Sequence, residues 1–156
     1  MRYKTALSFP IESGSVLVLG LALIVQYVGL SLDTVPYGSA IAKLLWLHLD
    51  LADTLAFSID RTLALIATVA ACLMLYQPMV PVYIGLGCYG LLQALATVYN
   101  GGEIGSELAF LTQMARYGLP FSLALIHLKI TKHYRAGYLL AISIGVTFIS
   151  HGFEAL

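Results

Sequence analysis

Polar residues divide this chain into long apolar blocks. Between Arg61 and Glu103, 41 consecutive residues carry no charged side chain, and Gln77-Pro78-Met79-Val80-Pro81 interrupts the run near its middle. A bilayer crossing takes ~20 mostly apolar residues in helical conformation. The block therefore predicts two membrane-crossing helices joined by a tight turn, since proline cannot continue a helix ladder. The same reading along the whole chain gives spans at 14–32, 57–76, 82–99, 108–130 and 137–156. The start of the second is its least defined edge, lying between Leu51 and Asp60. Asn100-Gly101-Gly102 is a turn signal that stops the third. The expected fold class is all-α, a polytopic transmembrane helix bundle of four to five spans forming a single domain over 1–156, with no internal repeat.

The segment 40–61 fits this scheme less simply. Read as one helix at ~100° per residue, it gathers Lys43, Asp50, Asp53, Asp60 and Arg61 on one face. Trp46 sits among aliphatic residues, as interfacial aromatics do. The expectation is an amphipathic helix on the outer surface, or the outer end of a tilted second span. Asp50 and Asp53 read as part of a solvated face rather than an acid–base pair.

Composition supports the membrane reading. Hydrophobic residues make up 60% of the 156, charged residues only 10%, and mean hydropathy is +0.89; soluble domains average about 25% charged. Eight basic and eight acidic residues cancel, and no basic, aromatic-interleaved patch marks a nucleic-acid binder. The first span is too long for the ~7–15-residue core of a signal peptide and is expected to stay as an anchor. The chain stops on Leu156 with no polar flank, consistent with a piece of a longer protein. Cys72 and Cys88 lack metal-ligand spacing and are expected to be buried as small apolar residues.

Charge between the spans sets the orientation. Arg2 and Lys4 precede the first span, and Lys129, Lys132, His133 and Arg135 separate the fourth from the fifth. With five spans, both groups fall on one side, and most carboxylates fall on the other. The positive-inside rule then places the N-terminus in the cytoplasm of a multi-pass inner (cytoplasmic) membrane protein.

Candidate chemistry is sparse. Arg116 sits about nine residues into the fourth span, ~13 Å below the outer boundary at ~1.5 Å per residue. A charge at that depth costs ~2.5–3.5 kcal/mol or more unless it is paired or snorkels. His151 and Glu154 share a helical face near the outer end of the fifth span. Asp60 and Arg61 enter the membrane from the same side. The expectation is that Arg116, His151, Glu154, Asp60 and Arg61 converge at one depth, with Arg116 buried and paired to a carboxylate or to His151. Such a cluster serves as an ion-pair network between helices, as the lining of a small-molecule pocket suited to a quinone head group, or as part of a metal site. No helix stacks two histidines for haem, no Ser/His/Asp or cysteine nucleophile stands in a credible context, and no glycine-rich phosphate loop is present. Gly85, Gly87, Gly90 and Gly118 suit close helix contact.

Met114-Ala115-Arg116-Tyr117-Gly118-Leu119-Pro120-Phe121-Ser122-Leu123-Ala124-Leu125, with Phe148-Ile149-Ser150-His151-Gly152-Phe153-Glu154-Ala155-Leu156, resembles bacterial DoxX-like integral membrane proteins. There, an arginine followed by a proline lies in one span and a His-Gly pair in another. The resemblance covers about the last 50 residues and matches Arg116, His151 and Glu154 to motif positions. It implies a compact membrane bundle associated with thiosulfate:quinone or quinol oxidoreductase complexes, with quinone as ligand and an oxidoreductase subunit as partner. This chain departs from the pattern in its extra span, its segment 40–61 and its stop just after the His-Gly pair. A non-catalytic membrane scaffold and a small transporter component are the alternatives.

Overall fold

A computed structural model describes residues 13–101, 110–128 and 133–154. Six helices account for nearly all of these: α1 (Ser13–Tyr37), α2 (Ala40–His48), α3 (Asp53–Leu73), α4 (Val80–Tyr99), α5 (Met114–Leu128) and α6 (His133–Glu154). Three of them, α1, α3 and α4, are long and apolar enough to cross a bilayer, with mean hydropathies of 2.2, 1.6 and 1.4. The protein is an all-α, polytopic helical membrane bundle.

The distribution of side chains is that of a protein dissolved in lipid. On α1, Leu17, Val18, Leu21, Val25 and Leu32 face outward, while Leu23, Tyr27, Leu30, Ser31 and Thr34 are buried. On α3 the buried stripe is Ala56, Asp60, Ala64, Ala67 and Ala71, and Leu65, Ile66 and Val69 point out. Large apolar residues thus cover the surface, and small or polar residues fill the contacts. Lipid gives no hydrophobic drive for helix association, so close backbone approach and interhelical hydrogen bonds hold the bundle together.

Those bonds are specific. Ser31 Oγ donates to the Ala64 carbonyl at 2.9 Å and lies 2.6 Å from Thr68 Oγ1, tying α1 to α3. Tyr27 OH donates to the Leu86 carbonyl at 2.6 Å, tying α1 to α4. The Ala115 N–H donates to Thr147 Oγ1 at 2.9 Å, tying α5 to α6. Helix α5 is the inner element, packed between α4 and α6 and touching α1, with Tyr117 through Pro120 and Ser122 through Ala124 buried. Three of the four glycines expected at contacts are there. A side chain at Gly87 would strike the Phe121 ring, one at Gly118 would strike Ser143, and one at Gly90 would sit 3.0 Å from the Arg116 carbonyl oxygen. Gly85 has open space instead.

The turn expected at Pro78 and Pro81 is present. Helix α3 ends at Leu73, α4 begins at Val80, and Pro81 occupies the first turn of α4, where its missing N–H costs nothing.

Segment 40–61 is not one helix. Ser39 caps α2, its Oγ accepting the Ile41 N–H at 3.1 Å. After His48 the backbone turns through Asp50, whose φ of 52° is left-handed. The Leu51 N–H then bonds back to the Leu45 carbonyl at 3.2 Å, and α3 starts at Asp53. Aspartate is among the few non-glycine residues that adopt this conformation readily. Lys43 therefore belongs to a different helix from Asp53, Asp60 and Arg61, and the shared face does not form. Helix α2 lies across α3 and α4 at one end of the bundle. The cysteines also depart from expectation: Cys72 is half-buried and Cys88 exposed, both as free thiols.

Candidate functional site

The ends of α1, α4 and α5 meet beneath α2 and leave a cavity of about 640 Å³. The end of α1 contributes Leu30 and Asp33. The corner and helix that follow add Ser39, Lys43, Trp46 and Leu47. The last turns of α4 supply Gln93, Thr97 and Asn100, and Gln113 and Arg116 close the inner wall.

The polar stripe on α4 comes from its spacing. Gln93, Thr97 and Asn100 recur four and three residues apart and so share one helical face. Thr97 Oγ1 donates to the Gln93 carbonyl at 2.9 Å and accepts from Gln113 Nε2 at 3.0 Å. Asn100 Nδ2 donates to the Ala40 carbonyl at 2.7 Å, pinning the start of α2 to the end of α4. Gln93 is 3% exposed, and its Nε2 donates to Tyr89 OH at 3.0 Å.

Arg116 is set in place by its backbone. Pro120, four residues on, has no N–H to offer the Arg116 carbonyl. Gln26 Nε2 of α1 takes that role at 2.8 Å. Gly90 allows α4 to approach the same carbonyl. Gly90 lies nine residues before the end of α4, so the Arg116 backbone sits ~13 Å below that helix end at ~1.5 Å per residue. Its side chain is exposed to the cavity rather than buried. Among the described residues it forms no ion pair.

Asp60 is fully buried, with both carboxylate oxygens engaged. The Ser39 N–H donates to Oδ2 at 2.6 Å and Ser39 Oγ donates to Oδ1 at 2.7 Å. It is absent from the cavity lining, is held by Ser39, and forms no ion pair with Arg116. Arg61 is exposed, its guanidinium 5.8 Å from the Phe57 ring centroid. His151 is exposed on α6, with Nδ1 2.9 Å from the Thr147 carbonyl. The side chain of Glu154 lies outside the described residues. Of the five residues expected to converge, Arg116 lines the cavity and Asp60 braces it through Ser39; Arg61 and His151 do not line it. Among the described residues no three His, Cys, Asp or Glu side chains gather into a metal-binding group.

The fold defines a multi-pass α-helical membrane protein, with a cavity of mixed polar and apolar lining at one end. The chain matches no protein-family model, and no curated protein or solved structure is significantly similar to it.

Proposed function

We propose that this protein binds the head group of a membrane-dissolved small molecule in the chamber beneath α2, and that a quinone is the ligand class. The observation that carries the reading is Arg116, held ~13 Å below the end of α4 with its side chain open to the chamber and in no ion pair among the described residues, although Asp33 lines the same chamber. Ionisable residues held inside a membrane are functional candidates because they are costly to keep. A quinone ring presents carbonyl oxygens, which need donors. Arg116, Lys43 and the amide of Gln113 supply N–H groups in the lining, and Trp46 supplies a flat apolar surface.

The wider reading follows the resemblance named above: a DoxX-like inner-membrane protein of five crossings, N-terminus in the cytoplasm, acting as accessory subunit to a quinone-linked oxidoreductase. In this arrangement α5 and α6 are the fourth and fifth crossings, and the chamber opens to the outer side. The charge asymmetry and the antiparallel order of α1, α3 and α4 support it.

Co-purification tests the ligand class. The wild-type protein, isolated in mild detergent and extracted with organic solvent, is expected to release quinone in near-stoichiometric amount. Arg116→Gln is expected to release several-fold less at equal yield of folded protein. Equal quinone in both, or none in either, would remove the quinone reading.

A further inference from the structure

The contact between α2 and α4 has a second side. There an apolar groove of about 410 Å³ runs between Leu44 and His48 of α2 and Leu92, Leu95 and Tyr99 of α4. The His48 ring meets the Tyr99 ring edge-on at 4.6 Å. Leu92, Leu95 and Tyr99 are 42%, 50% and 65% exposed, and they lie in a helix that crosses the bilayer, so the molecules that reach the groove come from the lipid phase.

The same two helices wall the polar chamber. Neighbouring positions on α2 serve different compartments: Lys43 lines the chamber and Leu44 the groove, then Leu47 lines the chamber and His48 the groove. On α4, Leu95 and Ala96 face the groove and Thr97 the chamber. One seam of two packed helices therefore separates a site of mixed lining, which holds the charged and amide side chains, from an almost wholly apolar one, at the same end of the bundle. Two sites on one seam, of which only one offers hydrogen-bond donors and charge, fit a molecule with a polar head and an apolar tail.

We infer that the groove is a tail subsite: it receives the apolar tail of the same ligand whose head group occupies the chamber, with the chain passing over α2. This rests on the ligand-binding reading above and deepens it. The ligand class becomes an amphiphile with a compact polar head and a flexible hydrocarbon or isoprenoid tail, and recognition is split between the two faces of the seam. The groove contributes affinity through apolar contact and does not affect the head group.

The test compares a benzoquinone bearing a decyl tail with a tail-less benzoquinone, both titrated into full-length protein in nanodiscs at fixed lipid content. Wild type is expected to bind the decyl compound at least about tenfold tighter, beyond the difference in bilayer partitioning, a ratio worth ~1.4 kcal/mol. Leu44→Phe with Leu95→Phe fills the groove. It is expected to abolish the tail advantage and leave tail-less binding unchanged. A retained tail advantage, or an equal loss for both compounds, overturns the inference while leaving head-group binding intact. Absence of saturable binding of the tail-less compound to wild type overturns the head-group reading, and the inference with it. A second measurement needs no variant. A diazirine at the tail end should label the peptide carrying Leu95, and unlabelled decyl benzoquinone should compete where phospholipid does not. Labelling at Phe148, on the lipid-facing side of α6, with equal yield would show the tail lying in bulk lipid and overturn the inference.

Discussion

Gln26 of α1 donates its side-chain amide to the carbonyl of Arg116 in α5 at 2.8 Å, and Arg116 is the residue whose acceptor Pro120 leaves open. A proline inside a membrane helix frees one carbonyl, and in lipid that group needs another donor. The bond closes the defect and at the same time fixes the position of the one arginine that lines the chamber.

This relationship predicts a coupling. Gln26→Leu leaves a carbonyl without a donor and should cost about 0.5–1.5 kcal/mol, measured by reversible unfolding in mixed micelles. In a Pro120→Ala background, the new N–H at position 120 satisfies the Arg116 carbonyl within the helix. There the same Gln26→Leu change should cost close to nothing. Equal costs in the two backgrounds would show that the proline and the glutamine are unrelated.

Asp60 and Ser39 make a second pair with a consequence. Asp60→Ala leaves the Ser39 N–H and hydroxyl without their acceptor at a half-buried corner and loosens the anchor of α2. Hydrogen bonds to charged groups contribute about 1.5–3 kcal/mol, and a loss of that order is expected. Trp46, carried on α2, should at the same time become more accessible to aqueous acrylamide. An Asp60→Ala protein with unchanged stability and unchanged quenching would separate Asp60 from the chamber wall.

How far the sequence revealed this arrangement depended on which forces were local. The uncharged run and the Pro78/Pro81 break needed only length and composition, and both reappear as α3, a turn and α4. Arg116 stood out because a charge deep in an apolar block is costly wherever it points. The segment 40–61 departs from its expected single face because a helical wheel assumes an unbroken helix, and two helices form there instead. The break depends on Ser39 as a cap and on the left-handed Asp50, features of backbone geometry rather than of hydrophobic period. Asp60 is one of the partners that depth alone offers Arg116, beside His151 and Glu154, and a serine one corner away, invisible to any charge count, bonds both of its oxygens. The α4 stripe of Gln93, Thr97 and Asn100 is present in the sequence as four-and-three spacing, but neutral amides and hydroxyls carry no charge penalty in an apolar block and so do not stand out from it as Arg116 does. Lys43, Trp46 and Gln113 join the chamber only through tertiary packing.

Orientation can be read from labelling. In a background with Cys72 and Cys88 replaced by alanine, a cysteine at Asp53 should react with a membrane-impermeant maleimide added outside intact cells. A cysteine at Gln77, in the α3–α4 turn, should react only after the membrane is opened. The reverse pattern would invert the topology drawn from the basic residues and turn the chamber to the cytoplasm.

We propose above all that the chamber beneath α2 is a ligand site governed by Arg116. Trp46 is the only tryptophan in the chain and lines that chamber, so its fluorescence reports on the site without labelling. Titrating a tail-less benzoquinone into nanodiscs should quench Trp46 along a saturable curve in wild type. In Arg116→Gln the midpoint should shift at least about tenfold, a loss of ~1.4 kcal/mol, which is within the range of a charge-assisted hydrogen bond. Linear, non-saturating quenching with the same slope in both proteins would mean that quinone reaches Trp46 only by collision, and would contradict the account.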